Sequence, residues 1–166
     1  MAIVDVIFDR TISPNENMVA PNTDDYFLAT ETAFKCIVNG LSYSNHTTET
    51  IKTVLDFGCA DGRVYRILTA GFPNAHHTAC DLIADGAKFW AETFGGSWVQ
   101  SYEDVHLTSP TENSTLTWIG SVFTHLPEPR WHSLLDFLAA NTERDGVVVF
   151  TVHGQSAIRF FEGNIM

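Results

Sequence analysis

The sequence predicts an α/β fold: a doubly wound, mostly parallel sheet with helices on both faces. Three observations carry this reading. From Thr53 onward, short apolar runs alternate with helical patterns of about ten to fifteen residues. The first run passes through a glycine turn directly into a helix, in "KTVLDFGCADGRVYRIL", Lys52–Leu68. Finally, 166 residues with 45% hydrophobic and 17% charged side chains are enough for one well-filled core and little more.

The elements follow in order. The first twenty or so residues are irregular, with turn formers in "SPNEN" and at Pro21. "NTDDYFLATETAFKCIVNGL" is helical, because Phe27, Phe34, Val38 and Leu41 fall on one face, with Asp24 and Asp25 in the first turn and Gly40 near the end. Residues 1–50 thus form an N-terminal segment and helix, and residues 51–166 the alternating part of a single domain. "SYSNHTTET" is a polar loop before the strand "TVLDFG". A helix from about Gly62 carries Val64, Ile67 and Leu68 at core spacing and stops at Gly71 and Pro73. "HHTACDL" is the second strand, and "IADGAKFWAETFG" the next helix, with Ile83, Ala87, Trp90, Ala91 and Phe94 as its buried stripe. "SWVQSY" and "LTWIGSVF" are strands three and four. "PEPRWHSLLDFLAANT" is a helix with Trp131, Leu134, Leu135 and Leu138 in register, and after a turn at "ERDG" comes the strand "VVVFTVHG". In such a sheet a ligand sits beyond the carboxyl ends of the strands, where the strand order switches. The residues placed there are Asp56–Gly62, Asp81, Ser101–Asp104, Ser121–His125 and His153.

Composition excludes several classes of function. Nine Lys and Arg against twenty Asp and Glu give a net charge of −11, which repels a nucleic-acid backbone. The longest apolar runs, such as "VVVFTV", are too short to span a bilayer, and "MAIVDVIFDRTISPN" lacks the basic start of a secretory signal. Cys36, Cys59 and Cys80 lie singly in apolar surroundings, as reduced thiols of a cytoplasmic protein do. His76 and His77 point to opposite faces of a strand, and no H-x-x-x-H or C-x-x-C spacing occurs, so no metal site is expected.

The glycine turn carries the functional signal. Gly58 and Gly62 bring backbone N–H groups close to a ligand, and Asp81 ends the next strand about 20 residues beyond, where an acid reaches ribose hydroxyls. Asp81 could equally cap the following helix, and Asp56 the turn itself. Two features depart from a dinucleotide site. The turn reads Gly-x-Ala-x-Gly, and Asp56 and Asp61 stand around it. Two carboxylates within a few ångströms would cost a pyrophosphate on the order of several kcal/mol. A ligand with an adenosine and a cationic tail suits the turn instead. S-adenosylmethionine has a sulfonium, an ammonium, one carboxylate and no phosphate.

"VLDFGCADGR" resembles the first motif of class I S-adenosylmethionine-dependent methyltransferases, and "TACDL" the acidic second motif. "WIGSVFTHLPEPRWHSLLDFL" and "RDGVVVFTVHG" are similar to the fourth strand, next helix and fifth strand of that family, closest to its bacterial small-molecule branch. The resemblance implies a Rossmann-like domain that binds S-adenosylmethionine as cofactor. It also implies that Asp56 lies near the methionyl ammonium and that Gly58, Cys59, Ala60 and Gly62 wrap the methionyl and ribose parts. Asp81 would accept from the ribose hydroxyls and the adjoining Leu82 would touch the cofactor, Ser101, Tyr102 and Glu103 would border the adenine, and Ser121 and Val122 would flank the donor methyl. His125 would be a general base or a loop hydrogen-bonder, and His153 has the same two readings. The family continues with a further helix and a β-hairpin, so the resemblance implies a sheet lacking the last strands of a seven-stranded one, its open edge covered by another copy or a further domain. Methyl transfer to an O or N nucleophile of a small molecule is the expected function. The alternative is a truncated, non-catalytic module that only binds the cofactor. A nucleotide-dependent oxidoreductase is disfavoured by the acidic turn.

Overall fold

The computed structural model describes residues 6–16, 18–19, 22–155 and 157. Helix α1 spans Thr23–Leu41, followed by β1 Thr53–Phe57, α2 Tyr65–Gly71, β2 His76–Asp81, α3 Ala84–Phe94 and β3 Ser97–Gln100. A 3-10 turn at Val105–Leu107 precedes β4 Ser114–Ile119, α4 Val122–His125, α5 Glu128–Asn141 and β5 Thr142–Phe150. The strands lie in the order β3-β2-β1-β4-β5, and every neighbouring pair is parallel. The chain moves outward from β1 to β3, then returns past β1 to β4. The switch therefore lies between β1 and β4, and their carboxyl ends open a crevice there. Among the described residues, no helix is long and apolar enough to cross a membrane.

Both faces of the sheet are covered because its strands bury alternate side chains on each side. Val54, Leu116 and Trp118 pack with Phe34, Ile37, Val38 and Leu41 of α1 and with Ile67 and Leu68 of α2. Beside them, Ala79 and Cys59 meet Tyr65 and Ala87, Trp90 and Ala91 of α3. Leu55, Phe57, Cys80 and Ile119 face the other way, onto Phe123 of α4 and Leu134, Phe137 and Leu138 of α5. Helix α1 starts where its capping chemistry dictates: Asn22 Oδ1 accepts the Asp25 N–H at 2.8 Å, and Asp24 and Asp25 suit the positive end of the helix.

Several details differ from the sequence reading, each for a local reason. β4 stops at Ile119, where "LTWIGSVF" predicts a longer strand, because Ser121 adopts a left-handed φ of 62° and the chain then turns into α4. "ERDG" is no free turn. β5 begins at Thr142, and its register against β4 jumps from Ser114↔Thr142 to Leu116↔Val147, so these residues bulge within one strand. Gly146 allows this, since a Cβ there would lie 2.9 Å from the Ser114 carbonyl oxygen. β5 ends at Phe150, so His153 lies beyond the strand. Ile83 is 71% exposed because it precedes the first turn of α3, and Leu135 is 42% exposed because Phe137 takes the inward position. Phe94 and Trp131 are half-buried, and Cys36 is exposed, while Cys59 and Cys80 are small buried hydrophobes as read. His76 and His77 do diverge: His77 is buried with Nε2 on the Phe72 carbonyl, and His76 is exposed with Nδ1 on Glu112.

Candidate functional site

The crevice is a cavity of about 910 Å³. Its floor is the end of β1. Asp56 is 1% exposed there, and no group among the described residues donates a hydrogen bond to its carboxylate. A buried carboxylate without a partner resists ionisation. Burial, and secondarily the nearby charge of Asp81, pushes Asp56 up to about 8. Asp56 therefore does not cap the turn; it faces the cavity.

The loop after β1 is shaped by its backbone. Gly58 and Gly62 take φ of 78° and 70°, a region that side chains disfavour. Gly58 N–H and Cys59 N–H both donate to the Cys80 carbonyl, at 2.8 and 3.1 Å, which ties the loop to β2. A Cβ on Gly58 would meet Val122 Cγ2 at 2.4 Å, and one on Gly62 would enter the Trp90 ring. Ala60 holds a φ of 45° with a side chain. Its N–H donates to Asp81 Oδ2 at 2.7 Å, while Ile83 N–H donates to Oδ1 at 2.9 Å. Asp81 thus fixes the loop and the turn leading into α3, whose N-cap position is Ile83 and not Asp81, and each of its oxygens keeps a lone pair for a further donor.

The opposite wall comes from α1 and the segment before it. α1 has a second stripe, Leu28, Ala29, Thr32, Ala33 and Cys36, that lines the cavity at helical spacing. Glu16 and Met18 line it from the N-terminal segment. That segment is strapped down by Arg66 of α2, which is 1% exposed. Its Nη1 donates to the carbonyls of Thr11 and Asp9 at 2.5 and 3.2 Å, and its Nε to the Gly62 carbonyl at 3.3 Å. Tyr26, Phe27, Trp90 and Phe94 surround the guanidinium with ring centroids 4.8–5.7 Å away. Tyr26, buried behind this wall, steadies it by donating its hydroxyl to Glu16 Oε2 at 2.6 Å.

The structure gathers Asp56, Gly58, Cys59, Ala60, Asp81, Leu82, Ser101, Ser121, Val122 and His125 around this cavity. Ser121 is held there by its N–H on Thr151 Oγ1 at 2.7 Å. Gly62, Tyr102, Glu103 and His153 are not part of its lining. Gly62 instead provides the close approach of α3, and Glu103 pairs with Arg130 at 3.1 Å. The α1 stripe, Glu16, Met18, Asp25, Trp118 and Thr151 line the cavity without having been singled out from sequence. Only the stripe had a legible signal, a second run of small and apolar residues beside the core-facing one.

No known family profile matches the sequence, and no curated protein matches it. Solved structures do match. The N-methyltransferase NodS from Bradyrhizobium japonicum WM9, in complex with S-adenosyl-l-homocysteine, is 17% identical, with a TM-score of 0.63 over 90% of this chain and 72% of that one. The plantazolicin methyltransferase BpumL, also in complex with that molecule, is 16% identical, with a TM-score of 0.62 over 87% and 56%. An O-methyltransferase family protein from Burkholderia thailandensis is 10% identical, with a TM-score of 0.62 over 85% and 44%. The chain has the fold of these methyltransferases, as the motif resemblance implied. It spans about three quarters of NodS, little more than half of BpumL and less than half of the Burkholderia protein.

The site suits S-adenosylmethionine on its own evidence. Asp56 Oδ2 is an orphaned buried acceptor that a cation would satisfy. The Gly58 turn is one a Cβ would block, and Asp81 retains acceptor capacity for hydroxyls.

Proposed function

We propose that this chain is an S-adenosylmethionine-dependent methyltransferase acting on an O or N nucleophile of a small molecule. The supporting observation is the buried, unpartnered Asp56 carboxylate at the floor of a glycine-lined crevice, with Asp81 on the neighbouring strand. Asp56 holds the methionyl ammonium, and Asp81 accepts from the ribose hydroxyls. The backbone at Gly58, Cys59 and Ala60 follows the methionyl and ribose parts, with Gly62 setting the loop against α3. Leu82 touches the cofactor beside Asp81, Ser101 borders the adenine with Tyr102 and Glu103 next to it in the chain but outside the cavity lining, and Ser121 and Val122 flank the methyl group. When bound, S-adenosylmethionine supplies a methyl already made electrophilic by its sulfonium. The chain's own work is therefore alignment and exclusion of water, and little covalent chemistry. His125, exposed at the cavity edge, is the candidate to take a proton from an acceptor hydroxyl or amine. A bacterial, cytoplasmic setting fits the motif resemblance, and a second copy or a further domain would cover the outer edge of β5.

Isothermal titration of the folded, desalted protein with S-adenosylhomocysteine tests this reading. Saturable binding that is lost in Asp56→Ala supports it. A folded protein that ignores this molecule but binds NADH by fluorescence would refute it. A second reading, cofactor binding without turnover, is motivated by the half-buried β5 at the sheet edge and by the partial coverage of the longer methyltransferases. Binding without transfer to any amine or hydroxyl acceptor would favour it.

A further inference from the structure

We infer that the outer chamber of the cavity, between α1 and the N-terminal segment, accepts an apolar molecule carrying a positively charged nitrogen. The inference rests on the methyl-transfer reading only in calling that molecule the acceptor.

Two independent features point to it. The first is charge. Among the described residues, five carboxylates line the cavity, Glu16, Asp25, Asp56, Asp61 and Asp81, against one guanidinium, Arg63. Arg63 is engaged, lying 5.5 Å from the Tyr26 ring centroid and 4.0 Å from Met18 Sδ. Asp56, buried and unpartnered on the floor, marks the cavity as built for a cationic ligand. S-adenosylmethionine carries two positive charges and one negative, so it offsets only one carboxylate overall. Its cationic part answers Asp56 at the inner end, and Glu16, Asp25 and Asp61 remain at the outer end. Asp61 registers this field: burial, then Glu16 and Asp81, raise its carboxyl above the ordinary value. An anionic acceptor entering here would meet repulsion, and among the described residues the one guanidinium of the lining is already engaged.

The second feature is shape. The α1 stripe offers Leu28, Ala29, Ala33 and Cys36, and Leu28 is 56% exposed although it is a large apolar residue beside the cavity. Met18 faces it from the N-terminal segment. This wall covers an apolar body while the acidic end receives the charge. At the upper end of the ordinary range for ligand pockets, a cavity of about 910 Å³ has room for two ligands side by side.

The experiment compares two probes of matched shape, phenethylamine and 3-phenylpropionate, by titration into the full chain with and without saturating S-adenosylhomocysteine. In the saturated protein the amine binds at least about tenfold more tightly, a difference of about 1.4 kcal/mol, and added salt narrows the gap. The double variant Glu16→Gln, Asp25→Asn keeps an acceptor for the Tyr26 hydroxyl and leaves the glycine loop untouched. It brings the two probes to similar affinity while S-adenosylhomocysteine binds as before. Equal or tighter binding of the carboxylate, an unchanged preference in the double variant, or displacement of the amine by S-adenosylhomocysteine overturns the inference. So does binding of neither probe. If S-adenosylhomocysteine itself does not bind, the methyl-transfer reading fails separately, and the preference of wild type against the double variant still decides this one.

Discussion

Asp56 shows how one residue joins function to stability. Its carboxyl is pushed from 3.8 to about 8 by burial and by Asp81. Between those values the folded chain holds a proton that the unfolded chain has released. Stability therefore falls as pH rises through this window and levels off above about 8. Binding of a cation requires the ionised form, so affinity for S-adenosylhomocysteine rises with pH over the upper part of the same window. Denaturant midpoints at pH 5 and pH 8.5 check the first effect. Wild type should lose more stability across that interval than Asp56→Asn, which cannot titrate, and equal slopes would contradict it. Ala60 is a second such point, since a side chain at a φ of 45° stores strain of about 1–2 kcal/mol in the loop that meets the ligand. Its N–H on Asp81 holds it there.

Among the elements, α1 does two jobs with two stripes. Tyr26, Phe27, Phe34, Ile37, Val38 and Leu41 bury one face, and Leu28, Ala29, Thr32, Ala33 and Cys36 line the cavity with another. The segment before it stays in place through Arg66, which joins Asp9 and Thr11 to Gly62 in the turn ahead of α2. Lysine cannot make this connection, because its single ammonium reaches neither carbonyl pair nor fills the aromatic cage. Arg66→Lys should cost about 2–3 kcal/mol, the scale of hydrogen bonds to a charged group. It should also speed amide exchange over residues 9–16 while β1 and β2 stay protected. Hydrogen exchange read by mass spectrometry separates these regions. Uniform acceleration through the sheet would mean a general packing role instead.

At the level of the whole molecule, strand order and charge set the behaviour. The order β3-β2-β1-β4-β5 puts the ends of β1, β2 and β4 around one crevice, which brings Asp56, Asp81 and Ser121 together across long stretches of chain. A net charge of −11 surrounds that crevice with a negative field. Raising ionic strength from about 10 mM to about 150 mM shortens the screening length from about 30 to about 8 Å. The melting temperature should rise over that range as self-repulsion weakens, which calorimetry would show; a flat or falling response would place the excess charge outside the folding balance.

The sequence by itself determined the α/β architecture, the parallel sheet and the acidic glycine turn. Those depend on periodicity and on residues close together in the chain, such as Asp56 two positions before Gly58 or Asp24 and Asp25 in the first turn of α1. Only the tertiary structure decided that β4 stops before Ser121, that "ERDG" bulges inside β5, that Glu103 turns to Arg130, and that Arg66 straps the N-terminal segment. It also decided that the second stripe of α1 faces a cavity. Each of these is settled by a partner many residues away, and local pattern carries no information about which distant surface a side chain will meet.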